Sequence, residues 1–247
     1  MNRRRYLSAV GVAGVGAVGG CLGGPADTAA QADIVVETVV DGLTHPWGLA
    51  DGGSDGSLLV TERDPGRLRR IDPAAGTTTE IDGVPAVDAA GQGGLLDVTR
   101  GPEGAWVYLT YAIAAENGTT TTRLGRGRLE AGGDRVTDFE TLYTAEPAVD
   151  SSGHYGSRVA FGPEGSLYMT VGDRQFKNFG PDHVAQDRSN DLGTTLRLEP
   201  DGSIPDDNPF VDDAAAQDAI YSYGHRNAQG LDIHPETGAI WESEFGE

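Results

Sequence analysis

Arg158-Val159-Ala160-Phe161-Gly162-Pro163-Glu164-Gly165-Ser166-Leu167-Tyr168-Met169-Thr170 holds two short apolar runs about a Pro-Glu-Gly turn. β-Branched and aromatic residues suit the pleated surface of a strand, and Pro and Gly supply the reversal between two of them. The same layout occurs three more times. Trp47-Gly48-Leu49 leads through Asp55-Gly56 to Leu58-Leu59-Val60-Thr61-Glu62. Gly94-Leu95-Leu96-Asp97-Val98 leads through Pro102-Glu103-Gly104 to Val107-Tyr108-Leu109-Thr110. Gly230-Leu231-Asp232-Ile233 leads through Pro235-Glu236-Thr237-Gly238 to Ile240-Trp241-Glu242-Ser243-Glu244. The starts at Leu49, Leu96, Val159 and Leu231 lie 47, 63 and 72 residues apart. Each of the first three pairs is followed by two further strand candidates, such as Arg67 to Ile71 and Thr78 to Ile81 in the first. Units of four strands at this spacing read as blades of a β-propeller whose loops lengthen along the chain. The expected class is therefore all-β, with no helical period of ten or more residues outside the first twenty.

Three units are complete and the fourth stops after its second strand. A propeller removes open sheet edges by joining its last blade to its first, which three and a half blades do not achieve. The expectation is a piece of a longer propeller, with dimerisation across the gap as the alternative.

The propeller is assigned to residues 33–247. Ahead of it, Arg3-Arg4-Arg5-Tyr6-Leu7 precedes an uncharged run from Leu7 to Gly20 rich in Ala, Val and Gly. A charged start and a run too short to span a bilayer, which needs ~20 residues, indicate a signal peptide over residues 1–20. The paired arginines point to the Tat route, which exports folded proteins. Val18-Gly19-Gly20-Cys21 resembles a lipobox, so Cys21 is the expected lipidated residue, followed by a linker over residues 21–32. The competing expectation is a plain signal peptide cut near Ala26. Cys21 is the single cysteine, so the exported domain holds no intrachain disulfide. The expected location is the outer face of the cell membrane, reached only through that lipid anchor.

The formal charge of -20 becomes -23 once Arg3, Arg4 and Arg5 are removed, and Lys177 is the single lysine beside seventeen arginines. Such a surface repels nucleic acid and anionic lipid. Many carboxylates and few lysines also resemble a protein of a salt-loving organism, in which salt screens the self-repulsion.

Two clusters carry chemistry. His154 stands on the loop entering one strand of a hairpin, and Asp173 stands just after the next strand, so both lie at one end of a sheet. An imidazole held by a carboxylate is a candidate general base; a loop histidine that only hydrogen-bonds is the plainer alternative. Further on, Gly224-His225-Arg226-Asn227-Ala228-Gln229-Gly230 packs an imidazole, a guanidinium and two amides just before a strand. Fixed donors at this density suit a ligand rich in carbonyl and carboxylate oxygens, or else a polar turn satisfying its own backbone.

Four motifs then occur in order: Gly91-Gln92-Gly93-Gly94-Leu95-Leu96-Asp97-Val98, His154-Tyr155-Gly156-Ser157-Arg158, Asp201-Gly202-Ser203-Ile204-Pro205-Asp206-Asp207-Asn208-Pro209-Phe210, and Gly224-His225-Arg226-Asn227-Ala228-Gln229-Gly230-Leu231. Together, from about Leu43 to Glu247, they resemble the soluble glucose/sorbosone dehydrogenases that use pyrroloquinoline quinone (PQQ), and most of all the aldose dehydrogenase branch. The resemblance implies a six-bladed β-propeller with the cofactor across its top. It implies that His154 is the catalytic base, that Asp173 assists it, that Arg226 and Asn227 contact the quinone, and that Gln92 lies at the sugar end. It implies oxidation of an aldose at C1 to the lactone, with electrons passing to an external acceptor whose identity stays open. Calcium would be held by backbone carbonyls at Gly246 and Glu247, where Glu247 departs from the family's usual proline. Further cofactor and calcium ligands of the family fall in later blades, so the 247 residues alone are expected to be inactive.

Two other functions fit a propeller: a calcium-dependent lactonase, and a non-catalytic extracellular propeller that binds sugars or proteins. The lactonase needs metal-binding carboxylates at the central channel, and the Gly-His-Arg-Asn cluster favours the quinone enzyme over it.

Overall fold

The computed structural model describes residues 35–115 and 117–246, so the expectations for residues 1–20, Cys21 and Glu247 fall outside the described residues. The fold lies within Thr38–Glu247. It is all-β: fourteen strands and, among the described residues, no α-helix.

The first sheet runs in order β1 (Pro46–Asp51), β2 (Leu58–Glu62), β3 (Arg67–Asp72), β4 (Thr77–Ile81). The second runs β5 (Leu95–Arg100), β6 (Trp106–Ala114), β7 (Thr120–Arg128), β8 (Thr137–Thr144). The third runs β9 (Val159–Phe161), β10 (Leu167–Val171), β11 (Thr194–Leu198), β12 (Ile220–Tyr223). A hairpin of β13 (Ala228–Ile233) and β14 (Ile240–Glu244) follows. Every pairing is antiparallel between sequence neighbours. These are propeller blades, three of them complete in four strands and a fourth present as two.

The first strands β1, β5, β9 and β13 line one cavity of 660 Å³ at the propeller's centre. Leu49, read from sequence as an apolar strand start, is exposed because it faces that cavity rather than a neighbouring sheet. The apolar cores lie between blades. Leu59, Leu68 and Ile81 of the first blade meet Leu95, Val98, Val107 and Leu109 of the second. Tyr108 and Leu124 of the second blade meet Val159, Leu167, Met169 and Leu196 of the third. The second blade is thus buried on both faces, which is why β6 reads as a nearly continuous apolar run rather than a strict alternation.

A threonine within the second strand of each complete blade joins it to the next. Register places Thr61, Thr110 and Thr170 one residue after Val60, Leu109 and Met169, which pair with Leu49, Val98 and Val159. All three threonines are fully buried. Each hydroxyl accepts an N–H from its own blade's first-strand segment: Gly48 at 2.8 Å, Asp97 at 2.9 Å and Arg158 at 3.0 Å. Each then donates to a carbonyl entering or within the following blade's first strand: Leu96 at 2.6 Å, Ser157 at 2.6 Å and Ala228 at 2.9 Å. A buried hydroxyl with both donor and acceptor engaged avoids the desolvation cost of an orphan.

Arg158 ties several blades at the central cavity. Its Nη1 donates to Asp97 Oδ1 of the second blade at 2.9 Å, its Nε to the Gln229 carbonyl of the fourth at 2.7 Å, and both terminal nitrogens approach the Trp47 carbonyl of the first at 3.3 Å. Asp97 Oδ2 accepts from Val159 N–H at 3.0 Å. Burial raises the Asp97 carboxyl above the ordinary aspartate range in spite of the guanidinium beside it.

Asp191 performs a similar task farther out. It is buried, and its Oδ2 accepts from the Tyr143 hydroxyl at 3.0 Å and from Glu146 N–H at 2.8 Å. Burial pushes its pKa up to about 6. A raised folded-state pKa favours the protonated form in the fold. The associated stability is full below the unfolded value near 4 and is lost as pH rises through about 6. Asp191→Asn, which keeps an acceptor and drops the titration, should gain on the wild type between pH 4 and 7 by on the order of 2 kcal/mol. Urea unfolding of both proteins at the two pH values checks this; a pH-independent difference would contradict it.

Candidate functional site

The loop 151–157 enters β9 at the same end of the third blade at which β10 delivers Asp173. Two glycines let the layers touch. A Cβ on Gly172 would sit 2.1 Å from the His154 carbonyl oxygen, and a Cβ on Gly156, which has φ +62°, would sit 2.7 Å from Gly172 N. Four of the six left-handed non-glycine residues among those described, His154, Ser157, Arg174 and Gln175, flank this contact. Backbone held in that region costs energy and persists where surroundings over-determine it.

Those surroundings are specific. Arg174 is almost fully buried, donates through Nε to the Gly153 carbonyl at 2.9 Å, and reaches Thr120 O, Thr120 Oγ1 and Ser151 O with its terminal nitrogens. Its guanidinium also stacks 3.8 Å from the centre of the Tyr155 ring. Gln92 Oε1 accepts from His154 N–H at 2.8 Å. Asn227 Oδ1 accepts from Gly156 N–H at 3.0 Å, and Asn227 is buried.

Within this frame His154 Nδ1 lies 2.7 Å from Asp173 Oδ1, both side chains almost wholly buried. Gln175 N–H donates to the same oxygen at 2.9 Å. A carboxylate accepts, so Nδ1 carries the hydrogen and Nε2 the lone pair. Nε2 has no hydrogen-bond partner among the described residues. His154 lines a 260 Å³ cavity with Gln92, Gln175, Phe176, Lys177, Arg226 and Phe245.

Arg226 is aimed by its neighbours. Glu244 on β14 accepts from Arg226 N–H at 2.7 Å and from His225 Nδ1–H at 2.8 Å, while Ser222 Oγ meets His225 Nε2 at 2.8 Å. Partial burial opposes the Glu244 charge, but these donors prevail and hold its carboxyl below the usual glutamate range. The Arg226 Nη1 donates to the Phe245 carbonyl at 2.8 Å, and its Nε is buried without a partner among the described residues.

The structure therefore brings Gln92, His154 and Arg226 to one cavity with Asp173 behind the imidazole. Asn227 is buried, and its side-chain oxygen is engaged by the Gly156 N–H of the loop that enters the third blade. Gly246 is exposed at the edge of the described residues. Arg174, His183 and Glu244 were not singled out from sequence. Arg174 directly follows Asp173, and that adjacency was the one local signal available for any of them.

A family model described as Glucose / Sorbosone dehydrogenase matches residues 43–247. Aldose sugar dehydrogenase YliI of Escherichia coli (strain K12) is 38% identical over 221 residues, covering 88% of this chain and 58% of that protein. A crystal structure of a glucose dehydrogenase superposes with a TM-score of 0.81 at 39% identity, covering 86% of this chain and 61% of that one. The PQQ-bound form of aldose sugar dehydrogenase from Streptomyces coelicolor superposes with a TM-score of 0.74 at 34% identity, covering 87% and 60%. The chain thus spans 58% to 61% of the length of these relatives. Matched by the family model from just before its first strand onward, and sharing its fold with these solved structures, the chain belongs to the glucose/sorbosone dehydrogenase family.

Proposed function

We propose that the full-length protein is a PQQ-dependent aldose dehydrogenase, oxidising the sugar at C1 to its lactone and passing the electrons to an external acceptor. The observation that carries it is the buried His154–Asp173 pair at 2.7 Å with Nε2 left free in a cavity that Arg226 and Gln92 also line. Those lining residues suit PQQ, a planar quinone bearing carboxylates. Phe176 and Phe245 offer aromatic faces, Arg226 and Lys177 offer cations, and the orphaned Arg226 Nε is an unused buried donor. When bound, PQQ supplies the two-electron acceptor.

The chain's own residues do the rest. His154 Nε2 takes the proton of the anomeric hydroxyl, and Asp173 keeps the imidazole in the tautomer that can do so. Arg226 stabilises negative charge developing in the cavity. Gln92, fixed to the His154 backbone, presents its amide to the sugar. Calcium, through the Gly246 and Glu247 carbonyls, and export with lipidation at Cys21 belong to this proposal on the sequence resemblance alone.

The test adds PQQ and calcium to the full-length protein and follows aldose-dependent reduction of a dye. The expected result is dye reduction that requires both PQQ and sugar. Hydrolysis of sugar lactones without PQQ, or sugar binding with no turnover, would replace this function with one of the two alternatives.

A further inference from the structure

We propose that His183 is a positioning residue, acting through Asp173 to keep His154 available as a base. Asp173 is fully buried, and while its Oδ1 serves His154 and Gln175, its Oδ2 has no hydrogen bond among the described residues. A buried carboxylate oxygen without a donor is costly, and it concentrates charge on the group. On that side, His183 Nε2 stands 3.6 Å from Oδ2.

The tautomer of His183 follows from its other contacts. Its Nδ1 accepts from Ala185 N–H at 3.2 Å, capping the short 3₁₀ turn Val184–Gln186, so Nε2 carries the hydrogen. That hydrogen goes to the Phe176 carbonyl at 3.1 Å, and the nitrogen that carries it stands 3.6 Å from Asp173 Oδ2. The ring is held flat against Phe179, with centroids 5.6 Å apart and planes 12° apart. His183 is buried, so this N–H dipole acts on the carboxylate with little screening.

The direction of the effect is fixed by electrostatics. A dipole whose positive end faces Oδ2 lowers the carboxylate's hold on a proton-bearing partner. The less strongly Asp173 stabilises an imidazolium, the more of His154 stays neutral at a given pH, and a base acts only when neutral. Other charged and titratable groups face the pair. Arg226 lines cavities on both sides of Asp173, His225 lines the one shared with His183, and Lys177 lines the one shared with His154. The variants below leave all three in place.

His183→Asn keeps a cap acceptor for Ala185 N–H but is too short to reach Asp173. His183→Gln restores an N–H at longer reach. Histidine NMR titration of the full-length protein, with His154 identified by its loss in His154→Asn, reads the effect without any assay of turnover. The Asn variant should raise the His154 midpoint measurably above that of the wild type. The Gln variant should return most of that shift. The acid limb of the kcat/KM profile for aldose oxidation should move with the NMR midpoint. A wild-type midpoint in His183→Asn, or equal midpoints in the Asn and Gln variants, would overturn the inference. It rests on the proposed dehydrogenase function for its kinetic half only. A protein that oxidises no aldose with PQQ but shows the NMR shifts would retain His183's role and lose the proposed activity.

Discussion

His154→Ala in the full-length, PQQ-loaded protein should lower aldose turnover by roughly two to four orders of magnitude, the usual worth of a positioned general base. The expectation follows from how little else the side chain does. Its Nδ1 is engaged by Asp173 and its Nε2 by nothing among the described residues, whereas the loop around it is held by backbone contacts from Gln92 and Asn227 and by Arg174. Truncation therefore removes the base and leaves the frame. Affinity for PQQ, which the proposal assigns to Arg226 rather than His154, should change by far less than turnover. Single-turnover reduction of the bound cofactor by sugar, set beside a PQQ binding titration, separates the two. Near-wild-type turnover would remove His154 from the mechanism.

The second large effect is on stability. Asp97→Ala should cost ~3 kcal/mol, because removing one partner of a buried ion pair leaves the other uncompensated. Arg158 would keep its carbonyl contacts to Trp47 and Gln229, yet lose its counter-charge, and Val159 N–H would lose its acceptor. Asp97→Asn should cost clearly less. Burial already raises the Asp97 carboxyl, so its charge is held at a penalty, and an amide keeps an oxygen for one of the two donors. Urea unfolding of the three proteins at one salt concentration gives the comparison; equal losses for Ala and Asn would show that charge, not hydrogen bonding, governs the site.

Much of the fold was legible because blade geometry is written locally. Turn pairs such as Glu103-Gly104 and Glu164-Gly165 mark where the first strand reverses, and the threonine of each second strand marks the register position where it meets the next blade. The site was legible in part. His154 and Asp173 flank one hairpin, so strand reading alone placed them at one end of a sheet. His183 was not legible, since the chain between Asp173 and His183 has no regular period to say that it folds back. Arg174 looked like any polar loop residue, because its partners Thr120 and Ser151 come from elsewhere in the sequence. The Asn227 contact was hidden for the same reason: its oxygen serves the Gly156 amide, a partner 71 residues away.

The threonine junctions have a direction. Thr61, Thr110 and Thr170 each belong to the earlier blade and grip a carbonyl of the later one, and no junction of this kind runs the other way in the set described. A chain emerging from its N-terminus would therefore present a finished hydroxyl before the strand that needs it exists. Each new inner strand arrives at a surface already carrying its docking point and register mark. Each blade thus carries on its own surface the register mark against which its successor is aligned.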